Sequence, residues 1–373
     1  MQTKVVKMNP AKPDMAEIKK AASLVDNGCL VVIPTETVYG IACRVKLDSL
    51  KKLNNLKGRS PDKYYTLHIG QKEDVKKYVP TIGIKAQKLI DNAWPGPLTI
   101  VFELENNDIS RLQNRFDNEV FNELYKDNSI GIRCCENQIA SLLFQQTANP
   151  VVAPSANITG RPPAIDAEGV LAAFSGQVEL VLDAGPCKYK KSSTVAKIGE
   201  KGLQILRDGV YSKAELETIS LIKFLFVCTG NTCRSPMAEG IFNKYLAEKL
   251  ECEVDCLDKI GYKVISTGIM NLAGTAASPE AIKACAAKGI DIKAHRSMQL
   301  TQQLVNESDF IFAMGKMHCE RVKALSSDAA KKCVLLAENI EIPDPIGQPQ
   351  EVYNNCADMI EAAVKKRIGE LVL

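Results

Sequence analysis

Between positions 228 and 235 the chain reads CTGNTCRS, which puts a thiol, a guanidinium and a hydroxyl on one short loop. The apolar residues 221–227 predict a buried strand before it, and 235 to about 250 predict a helix after it. Such a loop lies at a helix N-terminus, where free backbone N–H groups hold anions. Cys228 is then a candidate nucleophile towards phosphorus. Attack requires a thiolate, yet a free thiol of pKa ~8.5 is only a few per cent ionised at neutral pH. Lowering that value by about two units takes roughly 2.7 kcal/mol, whereas one exposed helix terminus supplies ~0.3–1 kcal/mol. The remainder falls to the fixed charge of Arg234, the loop amides of Thr229 to Cys233 and the Ser235 hydroxyl. Gly230 lets the backbone curl, and Asn231 tolerates a left-handed conformation. The departing atom needs an acid, and Asp344 in IPDPIG is the candidate, stiffened by Pro343 and Pro345. The bland alternatives are a buried structural thiol and a proline-rich surface turn.

A second constellation precedes it: PTETVYG at 34–40, KGR at 57–59, His68, WPGPLT at 94–99, IGIR ending at Arg133, PSAN at 154–157 and SST at 192–194. Hydroxyls and amides suit phosphate and carboxylate oxygens. Lys57, Arg59, Arg133 and Arg207 supply charge for a triphosphate, so an anion-rich small-molecule site is expected. Taken singly, His68 reads as an interior histidine, Trp94 as a turn anchor, and Cys134 and Cys135 as packing residues.

These residues need a scaffold. Asp14 and Glu17 form a capping box for a helix burying Ile18, Ala21, Ala22 and Val25, with Gly28 as its stop. Apolar runs at 29–34, 65–69, 98–104, 130–133, 151–154 and 178–182 read as strands, alternating mostly with helical stretches. After the short segment 211–220 a second series begins. Its strands are expected at 221–227, 262–266, 309–314 and 334–337. One helix starts at Ser278 with Pro279 in its first turn and Gly289 as stop, and a terminal helix carries Val352, Met359, Ile360, Ala363, Val364 and Leu371. The expectation is α/β throughout: a mixed twisted sheet in residues 1–216 and a doubly wound parallel sheet in 221–373.

The 373 residues suit two domains, and 46% hydrophobic with 24% charged residues is globular usage. A formal net charge of +3 leaves any phosphate or nucleic-acid contact to local clusters, of which Lys188, Lys190 and Lys191 form one. Thirteen cysteines without disulfide or zinc spacing point to a reducing, cytoplasmic protein. No protein-held metal is expected, and no stretch approaches a membrane span.

The motifs CTGNTCRSPMAEG, STGI at 266–269, DFIFAM at 309–314 and the Asp344–Pro345 pair resemble the low-molecular-weight protein phosphatase family over 221–373. The resemblance implies hydrolysis of phosphorylated proteins without a cofactor. It makes Cys228 the nucleophile, Arg234 the phosphate binder, Ser235 the thiolate stabiliser, Asp344 the general acid and Cys233 a cysteine that can protect the nucleophile by an internal disulfide. Thr232 is similar to the bacterial protein-arginine phosphatases, where tyrosine-specific members carry a branched apolar residue. Ile346 stands where the family usually has an aromatic residue, so phosphoarginine and phosphotyrosine both remain open. Arsenate reduction is the rival chemistry. It would need further cysteines, and Cys285, Cys319, Cys333 and Cys356 show no grouping as a shuttle pair.

The earlier constellation, taken in order over about 4–215, is similar to the YrdC-like threonylcarbamoyl-AMP synthases. That resemblance implies formation of threonylcarbamoyl-adenylate from threonine, bicarbonate and ATP with Mg2+, on the way to the t6A base of tRNA. Thr37, His68, Arg133, Ala153 and Ser193 would surround threonine or its carbamate. Arg59, Lys63, Ser129, Ser155 and Arg207 would surround ATP, with Lys57 neutralising phosphates. The chain departs from the family pattern at Tyr64, Tyr65 and Thr159. A double-stranded-RNA-binding module is the alternative of a different class.

Overall fold

A computed structural model describes residues 2–199 and 202–373. These form two compact units, one of 2–199 with 203–220, the other of 202 with 221–373. The helix Lys213–Ser220 belongs to the first unit, where Leu216 is fully buried, so that unit runs on to 220 rather than to 216.

The strands of the first unit are β1 (Lys4–Lys7), β2 (Val31–Ile33), β3 (Gly40–Arg44), β4 (Thr66–Ile69), β5 (Leu98–Glu103), β6 (Ser129–Cys134), β7 (Val151–Val152), β8 (Leu180–Asp183), β9 (Thr194–Gly199) and β10 (Gly202–Arg207). They make one sheet in the order β1-β8-β2-β3-β7-β4-β6-β5-β9-β10. The sheet is mixed: β2 runs parallel to β8 but antiparallel to β3, and β4 runs parallel to β6 but antiparallel to β7. Tyr39, Leu67, Ile100 and Ile132 are fully or nearly fully buried in one apolar cluster, and Ile18, Val31, Ile139 and Leu182 in another. The first helix, Met15–Asp26, starts as its sequence dictates: Asp14 accepts from the Ala16 and Glu17 N–H groups, satisfying donors that have no partner within the helix. Gly40, the last residue of the PTETVYG motif, opens β3, and β1, β3, β9 and β10 are strands that the apolar pattern did not signal.

The second unit has four strands, β11 (Ile222–Cys228), β12 (Tyr262–Gly268), β13 (Phe310–Ala313) and β14 (Cys333–Leu335), all parallel in the order β12-β11-β13-β14. This is the doubly wound arrangement, with the order reversing beside β11. The long helices Arg234–Lys249 and Gln350–Glu370 pack on each other. Phe224, Phe226, Phe242 and Phe312 interlock beneath the site, with ring centroids 4.7 to 6.1 Å apart. Ser278 caps the helix Pro279–Ala286 through the Ala281 N–H.

Candidate active sites

In the second unit β11 ends at Cys228 and the helix Arg234–Lys249 begins six residues later, so the intervening backbone folds back over the strand end. Asn231 takes φ 55°, the left-handed turn that lets its N–H point back to the Cys228 Sγ at 3.2 Å. The Ser235 Oγ lies 3.0 Å from the same sulfur. Asn231 holds the loop in place: its amide donates to Ser235 Oγ and Ser266 Oγ, both at 2.8 Å, and its Oδ1 accepts from the Met298 N–H at 2.7 Å. His295 Nε2 contacts the Asn231 carbonyl at 2.8 Å, and Ser266 donates to Glu239 at 2.6 Å. Ser266, His295 and Glu239 come from separate elements, and sequence reasoning had given none of the three a role at the site.

Arg234 is 6% exposed, with Nη1 on the Ile342 carbonyl at 3.1 Å and Nη2 shared between Thr229 Oγ1 at 3.0 Å and the Asp344 carboxylate. Its Nε is buried with no partner, leaving a charged donor unspent. The structure thus brings Cys228, Thr229, Gly230, Asn231, Arg234, Ser235 and Asp344 together. Thr232 stands half-buried in the same loop. The Cys233 Sγ faces Ser278 Oγ at 3.4 Å and Tyr353 Oη at 3.6 Å. Ile346 is 65% exposed.

Cys319 and Cys333, although distant in sequence, lie in one buried apolar cluster. The neighbouring Cys319 thiol and burial push the Cys333 thiol up. Cys285 and Cys356 are buried, and burial pushes both thiols up to about 12.

In the first unit a pocket opens over the middle of the sheet. It is lined by residues from β3 (Gly40), β4 (His68), β5 (Thr99) and β6 (Arg133), and by Ala153, Ser155, Ser193, Arg59 and Arg207 from adjoining segments. Arg133 is 6% exposed, its Nη2 bonded to Glu36 Oε1 at 2.5 Å and Thr37 Oγ1 at 2.7 Å, while its Nε is buried without a partner. Glu36 Oε2 in turn accepts from the Glu136 and Asn137 N–H groups, so the carboxylate is fully used on protein. Arg59 is stacked on the Tyr65 ring at 4.7 Å, donates to the Tyr64 carbonyl and also leaves a buried Nε unpartnered. Arg207 donates to the Ser193 carbonyl at 2.7 Å and hydroxyl at 3.0 Å. Burial and the Arg133 charge push His68 down to about 3, so its imidazole is neutral. Its Nδ1 lies between the Thr66 carbonyl at 3.0 Å and the Ala153 N–H at 3.2 Å, which gives either tautomer a partner.

Four expected site residues stand elsewhere. Thr37 is fully buried behind Arg133. Lys57 is 3% exposed, and its ammonium is spent on the Ser155 carbonyl, the Asn157 carbonyl at 2.6 Å and Asn157 Oδ1 at 3.4 Å. It braces the PSAN turn and does not line the pocket, which corrects its expected phosphate role. Lys63 is exposed, and Ser129 turns its hydroxyl to the Lys126 carbonyl at 2.9 Å; neither lines the pocket. Glu36, Tyr64, Thr99 and Ser192 were not singled out beforehand. Glu36, Thr99 and Ser192 do lie inside motifs that were, and Tyr64 was named only as a departure from the family pattern.

Comparison with known proteins gives each unit a kinship. A family model described as "Telomere recombination", for the Sua5, YciO and YrdC proteins, matches residues 23–209, half of the chain. The threonylcarbamoyl-AMP synthase of Pyrococcus abyssi is 29% identical over 237 residues, 63% of this chain and 66% of that protein, so the chain spans less than two thirds of this relative. A solved structure of a doubly substituted P. abyssi Sua5 matches with TM-score 0.50 and 25% identity, covering 65% of this chain and 76% of that one. A model described as "Low molecular weight phosphotyrosine protein phosphatase" matches residues 223–372. The probable low molecular weight protein-tyrosine-phosphatase EpsP of Ralstonia solanacearum is 34% identical over 142 residues, 38% of this chain and 89% of that protein. The chain therefore belongs to two families, joining a Sua5/YciO/YrdC domain to a low molecular weight phosphotyrosine protein phosphatase domain.

Proposed function

We propose that the chain is a bifunctional cytoplasmic enzyme. Its first unit makes L-threonylcarbamoyladenylate from threonine, bicarbonate and ATP for t6A formation in tRNA, and its second unit is a cysteine-dependent protein phosphatase. The observation that carries the first half is the pair of buried, unpartnered guanidinium nitrogens, Arg59 Nε and Arg133 Nε, in a pocket also lined by Arg207, His68 and several hydroxyls. Buried donors without partners cost about 1–3 kcal/mol each, and two anionic ligands would relieve both. In this reading Arg133, held by Glu36, takes the carboxylate of threonine beside neutral His68. Arg59 and Arg207 take the nucleotide phosphates, and catalysis is positioning of two anions whose repulsion the arginines screen. Among the described residues no group of three or more acidic, His or Cys side chains could hold a metal, so Mg2+ would arrive on the phosphates of ATP. In the basic cluster that would serve RNA, Lys188 is bound to Glu136 at 2.9 Å. Pyrophosphate release from ATP that depends on both threonine and bicarbonate supports the synthase. RNA binding without that release rejects it.

For the second unit the orphaned Arg234 Nε, on the same loop as Cys228, is the corresponding observation. In the proposed step the sulfur attacks phosphorus, the loop N–H groups and Arg234 hold the equatorial oxygens, and Asp344 protonates the departing atom. Phosphoarginine and phosphotyrosine are both candidates. Thr232, small and polar, leaves room for the planar phosphoguanidinium, whereas exposed Ile346 offers no aromatic face. A Cys228→Ser protein should lose aryl phosphate hydrolysis by at least 1000-fold, and full retained activity would reject the assignment. Thr232→Ile should reverse a wild-type preference for phosphoarginine over phosphotyrosine peptides; an unchanged ratio removes Thr232 as selector.

A further inference from the structure

Arg234 must stay aimed while the groups around it change partners, and the hydrogen-bond inventory reveals how. A guanidinium only donates, so Thr229 Oγ1, 3.0 Å from Nη2, is an acceptor there. The single hydroxyl proton of Thr229 has to point elsewhere, and His318 Nε2 stands 3.0 Å from the same oxygen. His318 is 2% exposed on the helix Lys316–Leu325, and burial together with the Arg234 charge pushes it down to about 4, so the ring is neutral with one lone pair. Its Nδ1 is buried without a hydrogen bond of full geometry, and the Gly315 backbone acts on the ring as a weak acceptor. The Gly315 backbone lies on that side, where an added Cβ would come within 3.4 Å, and the Glu341 carboxylate crowds the same glycine. Negative charge there favours the N–H on Nδ1 and leaves the Nε2 lone pair for the Thr229 proton. The titratable groups acting on His318 are Arg234, Asp344 and Glu341.

The contact is built by the sheet. β11 and β13 are adjacent and parallel, so the residue after β11 and the first turn of the helix after β13 emerge at one edge. The other acceptor of Nη2 is the Asp344 carboxylate, which must leave to serve a departing group, whereas Thr229 has no such duty.

We propose that Thr229 and His318 are a positioning pair for the phosphatase site: His318 Nε2 takes the Thr229 proton, which turns the Thr229 oxygen onto Arg234 and keeps the guanidinium aimed when Asp344 lets go. The inference rests on the phosphatase reading above. The test uses the full chain, with aryl phosphate as substrate and inorganic phosphate as competitive inhibitor. Thr229→Val should weaken inhibition by phosphate about tenfold and lower kcat/KM by a similar factor, and Thr229→Ser should recover to within threefold of the wild type. His318→Phe should match Thr229→Val. The double variant should be no worse than either single one, because both remove the same link. A role in packing alone would lower Tm without a selective loss of phosphate inhibition and without rescue by serine. The pair is overturned if Thr229→Val binds phosphate within twofold of the wild type, or if the two single effects multiply in the double variant. Should His318→Phe fail to fold, the valine and serine comparison decides by itself. A wild-type chain inert towards aryl phosphate overturns the underlying phosphatase reading instead, so the two failures are distinct.

Discussion

Buried neutral His68 makes the first unit acid-sensitive in a way that one fluorophore can follow. In the unfolded chain the imidazole binds a proton with a pKa of about 6.5, whereas burial and Arg133 hold it near 3 in the folded one. Between those values unfolding takes up a proton, so stability is complete above about pH 6.5 and is lost as pH falls towards 3. At pH 5.0 the loss is about 2 kcal/mol, from 1.36 kcal/mol per unit over about 1.5 units. With a urea slope of about 2–3 kcal/mol per M, the midpoint should fall by about 0.7–1 M between pH 7.5 and 5.0. The chain has three histidines, and the other two, His295 and His318, lie in the second unit. Its one tryptophan, Trp94, is buried in the first, so tryptophan emission during urea unfolding reads that unit alone. His68→Gln should unfold at nearly the same urea concentration at both pH values, whatever its absolute stability. Equal midpoints in the wild type, or an undiminished shift in the variant, would refute the assignment of acid sensitivity to His68.

Two further outcomes follow from contacts within the first unit. Glu36→Gln leaves Arg133 buried without its counter-charge; the loss should approach the ~3–5 kcal/mol typical of breaking a buried pair, with an at least tenfold rise in KM for threonine in the pyrophosphate-release assay. Gly209→Ala places a methyl against the Thr194 nitrogen and the Ser193 backbone, so it should destabilise the unit by about 1–3 kcal/mol in the same Trp94 experiment and disturb the seat of Arg207.

The two sites were legible in the sequence to different degrees, for a physical reason. The loop 228–235 is local: its turn residues, its cysteine and its arginine are all within eight positions, so type and spacing alone describe its geometry. The caps Asp14 and Ser278 were readable on the same ground, since a cap needs only the two or three residues that follow it. The first unit assembles its pocket from strands distant in sequence, and the Glu36–Arg133 pair joins residues 97 positions apart. Nothing near Lys57 says that its ammonium will be consumed by carbonyls of 155 and 157. The missed strand β1 has the exposed composition KVVK, with only Val6 partly covered, and so lacks the apolar signal of a central strand. His318 lies on a helix whose outward face is charged, and its importance comes from the neighbour that the sheet order gives it.

The ion pair between Arg234 and Asp344 gives the phosphatase site an anion of its own. Any incoming oxyanion competes with a tethered carboxylate, and its apparent affinity is divided by the fraction of molecules in which Asp344 has swung aside; a site open one time in ten binds about ten times more weakly than the bare arginine would. In the proposed phosphatase step, weakly held anions such as chloride would thereby be screened out. A doubly charged phosphoryl group, which also engages the loop amides and the Arg234 Nε, wins the exchange. The same carboxylate stands where it would reclaim the guanidinium as product phosphate departs, so that in this mechanism an internal rival would work as both a filter on entry and an aid to turnover.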